Sequence, residues 1–114
     1  MKRRTKTAFG EFLVAEIRQA GMSQEEFYIA VGIKKPYFYD LLNASPPPIE
    51  LQDRMLAVLD EATGADEARR RKLYDLAAVG RSEIPADIAK LILAHPGEID
   101  QIRNKLTELF TTQG

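Results

Sequence analysis

Cysteine is absent from the 114 residues, which excludes a disulfide framework, a thiolate zinc site and a cysteine nucleophile. Histidine occurs once, at His95, with no paired acidic cluster, so neither a metal site nor a cofactor is expected. There is no glycine-rich phosphate loop and no nucleophile elbow, and the chain is not expected to be an enzyme. No apolar run approaches the roughly 20 residues of a membrane span. The basic start MKRRTK leads into an amphipathic segment instead of an uninterrupted apolar signal core, so a cytoplasmic protein is expected.

What is present suits a folded chain. Hydrophobic residues make up 45% and charged residues 29%, far from the apolar-poor composition of disorder. The length fits one core with a short helical appendix, since single domains usually run about 100 to 150 residues. Sixteen Lys and Arg against seventeen Asp and Glu leave a formal net charge of −1. The distribution is less even: Lys2, Arg3, Arg4 and Lys6 all precede the first acidic residue, Glu11, and a local patch is what meets phosphate.

Apolar residues recur three and four apart throughout, with no sustained alternation of the strand kind, so the fold class is all-α. A first helix is expected over residues 7 to 20, with Phe9, Phe12, Leu13 and Ile17 inward and Gly21 as its left-handed cap. Ser23 and Glu26 have capping-box spacing and start a second, short helix at Gln24 that Gly32 ends. Lys34, Lys35 and Pro36 lead into a third, with Phe38, Leu41 and Leu42 inward. The segment NASPPP, residues 43 to 48, must be a stiff extended connection. Further helices are expected over residues 49 to 62 and 66 to 79, then a loop from Gly80, a short helix between Pro85 and Pro96, and a last one over 97 to 110.

Residues 23 to 43, SQEEFYIAVGIKKPYFYDLLN, pair two short helices about a tight glycine turn. That geometry lets one helix enter a major groove while the other braces across the backbone. With the Leu13, Ile17, Arg18 rhythm before it and a proline loop and amphipathic helix after it, the stretch from about residue 7 to 60 resembles the phage-repressor, or XRE, family of helix-turn-helix regulators. The resemblance implies a helix-turn-helix bundle of four to five helices over residues 1–62, with residues 63–114 as a helical extension. It also implies that double-stranded DNA is the partner and sequence-specific transcriptional regulation the function. Gln24 would bind a phosphate, and Lys35, Pro36, Tyr37, Tyr39 and Asp40 would face the groove. Lys35 suits guanine acceptors and Tyr39 a thymine methyl, while Lys34 and Asn43 suit the backbone. Arg3 and Arg4, in the basic arm, would reach a minor groove or phosphates, the alternative being a solubilising tail.

The chain departs from that pattern at named positions. Tyr28 stands where a small residue usually lets the two helices cross, and is expected to push them apart unless its ring escapes to the surface. Lys34 cannot accept a capping N–H bond, and Leu42 and Ala44 replace the usual closing Glu and Gly. These departures keep open an antitoxin-like or phage-encoded inhibitor in which Tyr28, Tyr37, Tyr39 and Leu42 form a sticky surface for another protein. In the run Arg69, Arg70, Arg71, Lys72, side chains point around the helix with Asp66, Glu67 and Asp75 within reach, so a surface salt-bridge role is expected. His95 suits a helix-end cap. Ile99, Ile102, Leu106 and Leu109 step by three, four and three like a coiled-coil seam. They could pack within the chain or join a twin, and homodimerisation is the expectation.

Overall fold

In the computed structural model residues 6–111 are described, and among them the chain is all-α without a strand. Seven helices follow in order: α1 (Ala8–Gln19), α2 (Gln24–Val31), α3 (Lys35–Asn43), α4 (Ile49–Thr63), α5 (Glu67–Arg81), α6 (Ala86–Leu93) and α7 (Ile99–Thr111). A single 3₁₀ turn at Pro96–Glu98 precedes the last. The basic-arm residues Arg3 and Arg4 lie outside the described residues.

Local chemistry sets the helix ends. Thr7 Oγ accepts the Gly10 N–H at 3.0 Å and caps α1, and Gly21, at φ +74°, closes it in the left-handed region. The capping box at α2 is complete: Ser23 Oγ accepts the Glu26 N–H at 3.0 Å, and Glu26 accepts the Ser23 N–H at 2.8 Å. Gly32 ends α2 at φ +92°, where the Ile33 N–H reaches back to the Tyr28 carbonyl at 3.0 Å. Asp66 caps α5 by accepting the Arg69 N–H at 3.1 Å. Lys34 stands at the start of α3 and makes no side-chain cap.

One continuous core binds α1 to α5. Phe9, Leu13 and Ile17 meet Phe27, Val31, Phe38, Leu41 and Leu42, and α4 and α5 close over them with Met55, Leu59, Leu73 and Ala77. The N-terminus of α1 sits against the C-terminus of α3, because the Thr7 N–H and hydroxyl both donate to the Leu42 carbonyl, at 2.9 and 3.1 Å. A Cβ on Gly10 would lie 2.1 Å from that carbonyl oxygen, so only glycine fits there. The proline connection begins later than expected, because Asn43 ends α3 and Ala44 turns, and residues 45–48 run without regular structure, doubly held: Gln52 donates to the Pro47 carbonyl at 2.8 Å and Arg81 to the Pro46 carbonyl at 3.2 Å.

Two further expectations are corrected here. The fifth helix does not stop at Val79. It runs through Gly80 to Arg81, and Ser82, at φ +56°, supplies the left-handed cap. Gly80 is helical because α5 passes so close to the proline connection that a Cβ there would lie 2.5 Å from Pro46 Cγ. The second correction concerns Arg69, which is buried: it donates to Thr63 Oγ1 at 2.9 Å and the Gly64 carbonyl at 2.7 Å, and pairs with Asp60. It locks the α4–α5 corner, while its neighbour Arg70 makes the expected exposed pair, with Glu67 at 2.9 Å.

The C-terminal part is built differently. Ala86 is the only buried residue of α6, and α7 has none. Lys90 ties α6 to the bundle by donating to both oxygens of Asp53, at 2.9 and 2.7 Å, and the Tyr74 hydroxyl donates to the same carboxylate at 2.7 Å. The radius of gyration, 16.6 Å, exceeds the roughly 13 Å of a compact chain this long, as expected of a bundle carrying an arm.

Candidate nucleic-acid interface

The exposed side of α3 is a product of its buried side. Phe38, Leu41 and Leu42 face inward at helical spacing, which turns Lys35, Pro36, Tyr37, Tyr39 and Asp40 to solvent with Lys34 just ahead of them. Pro36 in the first turn costs no hydrogen bond, since the N–H groups there have no intrahelical acceptor. Tyr37 is 44% and Tyr39 38% exposed, so both tyrosines lie on the outer face beside the lysine pair. The Lys35 ammonium sits 5.9 Å from the centre of the Tyr39 ring, whose other contact is Phe38 at 5.7 Å. Lys35 and Tyr39 therefore form one surface unit, a cation beside an aromatic plane.

Tyr28 does not escape to the surface. Its ring is buried with its centre 5.3 Å from Phe38, and Phe27 lies 6.1 Å from the same ring. The α2–α3 crossing is thus filled by an aromatic cluster in place of a small-residue contact. Leu42 is buried too, so neither Tyr28 nor Leu42 can belong to an exposed sticky surface. Of that group Tyr37 and Tyr39 remain outside, joined by Ile29 of α2, which is 65% exposed.

Polar partners refine the other positions. Asn43 is half-buried and its amide donates one N–H to the Tyr39 carbonyl at 2.9 Å, which anchors the side chain on its own helix. Gln24 is half-buried at the head of α2, followed by Glu25 and Glu26. The Ser23 backbone N–H, and secondarily its hydroxyl, holds the Glu26 carboxyl below its usual value, which keeps it anionic beside Gln24. Between residues 23 and 43 the charges are Glu25, Glu26 and Asp40 against Lys34 and Lys35.

A cation from elsewhere in the chain reaches the turn that precedes this face. Arg54 of α4 donates to the Val31 carbonyl at 3.1 Å, and its Nη1 lies 3.4 Å from where a Cβ on Gly32 would stand. It therefore reaches the α2–α3 turn just before Lys34. Its local sequence signal is only a polar position between Leu51 and Met55, and nothing there points to a turn 23 residues earlier.

The remaining sequence-predicted positions fall apart from this face. Ile99 and Ile102 are half-buried, and Leu106 and Leu109 are 46% and 52% exposed, all on α7. His95 Nδ1 bonds the Leu91 carbonyl at 2.9 Å, a helix-end contact like that expected of it. Among the described residues no three His, Asp or Glu side chains are grouped to hold a metal ion, and no helix is long and apolar enough to cross a membrane. No protein family, curated protein or solved structure matches this chain.

Proposed function

We propose that this chain is a cytoplasmic DNA-binding regulator of the phage-repressor, XRE, kind, acting as a homodimer with α3 in the major groove. The observation that carries the reading is the outward row Lys34, Lys35, Tyr37 and Tyr39 on a helix braced from behind by α2. Lys35 donates to guanine O6 or N7, and the Tyr39 ring beside it packs on a thymine methyl. Lys34 and Arg54 meet the backbone, with Gln24 at a second phosphate and the Arg3, Arg4 arm alongside the duplex. Asn43 meets the backbone with its second amide N–H, the first staying on the Tyr39 carbonyl. Two copies address half-sites one helical turn, about 34 Å, apart. The reading needs neither catalysis nor a cofactor.

Affinity in this reading is dominated by phosphate contacts, so salt weakens it, more steeply the more cations take part. Duplexes from the gene's own neighbourhood, titrated at two salt concentrations, test it. Wild type should bind at low salt, and Lys35→Glu should bind about 10-fold or more weakly, the loss of one base contact plus added repulsion. If neither protein retards any duplex at low salt, the reading fails. A second reading, a protein-binding module, draws on a different observation: Tyr37, Tyr39 and Ile29 are exposed among Glu25, Glu26 and Asp40, a surface more apolar and acidic than phosphate prefers. In that case Tyr37→Ala and Ile29→Ala abolish partner binding while Lys35→Glu leaves it intact.

A further inference from the structure

The arm leaves apolar surface that the chain itself does not cover. From the 3₁₀ turn α6 and α7 part and enclose an open groove of about 930 Å³. Ile84, Ile88 and Leu91 form one wall, and Ile102, Leu106 and Leu109 the other. Polar groups such as Glu98, Lys105 and Glu108 also line it. Small-molecule sites usually converge a few polar groups on their ligand, and His95, the one ring nitrogen donor or acceptor there, is already bonded to the Leu91 carbonyl.

We propose that this groove receives α7 of a second copy, and that the second copy's groove receives α7 of the first, so that two arms interlock into a four-helix clasp. Each chain carries both halves of the fit. The seam Ile99, Ile102, Leu106, Leu109 is a ridge of coiled-coil spacing, and because Ile102, Leu106 and Leu109 also wall the groove, ridge and hollow lie on one surface that a two-fold axis lays against itself. The uncovered surface calls for a partner: Ile84, Ile88, Leu91, Leu106 and Leu109, all lining the groove, are 46% to 64% exposed, a contiguous apolar patch of the kind that marks a protein–protein contact. Charge does not oppose self-association, because α7 carries Asp100 and Glu108 against Arg103 and Lys105, paired within the helix.

The clasp deepens the homodimeric part of the proposed function and is independent of DNA reading. Sedimentation equilibrium of the full chain without DNA tests it, with helicity followed by circular dichroism. Wild type should be a dimer. Ile88→Glu on the α6 wall and Leu109→Glu on the ridge should each weaken association roughly 100-fold or more, since each would bury an unpaired charge. Both sites are exposed in the single chain, so helicity should hold, and Val79→Glu, exposed on α5 outside the groove, should leave the dimer unchanged. A wild-type chain that stays monomeric at its highest soluble concentration, with or without a small molecule retained in native mass spectrometry, overturns the pairing. A dimer that Leu109→Glu breaks and Ile88→Glu does not overturns the clasp in favour of a plain α7 seam. Neither result bears on duplex binding, which the salt titration decides separately.

Discussion

Phe38 in the bundle and Phe110 in the arm are the same side chain, one 0% and the other 71% exposed. Phe38 is ringed by Phe27, Tyr28 and Tyr39, inside a core that α1 to α5 close. Phe110 lies on α7, a helix with no buried residue. Under the proposed function, the packed bundle and the uncovered arm keep a recognition surface and an assembly surface apart in one chain.

The largest expected effect comes from exchanging the two phenylalanines for alanine in turn. Phe38→Ala should lower unfolding free energy by about 3 to 5 kcal/mol in urea titration, enough to unfold much of a marginal domain. Phe110→Ala, measured dilute enough to be monomeric, should change it by no more than about 0.5 kcal/mol. Equal losses would erase the distinction between bundle and arm.

Next is Gly10→Ala, which places a methyl 2.1 Å from the Leu42 carbonyl oxygen. Backbone cannot step aside as a side chain can, and a loss of about 3 kcal/mol in thermal or urea unfolding is expected. A smaller effect belongs to the joint between the regions. Tyr74→Phe removes the hydroxyl bond to Asp53 and should cost about 1 kcal/mol.

The same joint predicts a pH response. Burial, followed by the hydrogen bond to Asp53, pushes the Tyr74 phenol up, and the bond to Asp53 does the same for Lys90. Groups raised in the folded chain stabilise it fully below their unfolded pKa and lose that contribution as pH rises through the folded value. Stability should therefore decline above about pH 10, and in Tyr74→Phe the decline should be shallower. An identical alkaline slope in both proteins would remove Tyr74 as its cause and leave the Lys90–Asp53 pair.

Most helix bounds were legible because they are local. The Ser23–Glu26 capping box, the Gly21 and Gly32 caps and Pro36 in the first turn of α3 each act within about four residues, the range over which helix signals are written. Gly80 misled for the same reason. A glycine reads locally as a break, and only Pro46, 34 positions earlier in the sequence, shows why a helix needs it. Arg69 read as one of four surface cations because a run of charges says nothing about which member the α4–α5 corner will enclose. On α3 the outward lysines and tyrosines followed from the inward spacing of Phe38, Leu41 and Leu42, whereas Arg54 was invisible until α4 was laid against the α2–α3 turn.

By itself, the sequence determined the helices, their caps and which face of each is apolar, since periodicity and capping are short-range. Tertiary packing alone decided that Tyr28 turns inward, that Gly10 admits Leu42, that Arg54 reaches the α2–α3 turn, and that α6 and α7 leave a groove between them. Each of these joins residues far apart in the chain or on separate helices, and their mutual placement depends on how whole helices pack, which no local pattern specifies.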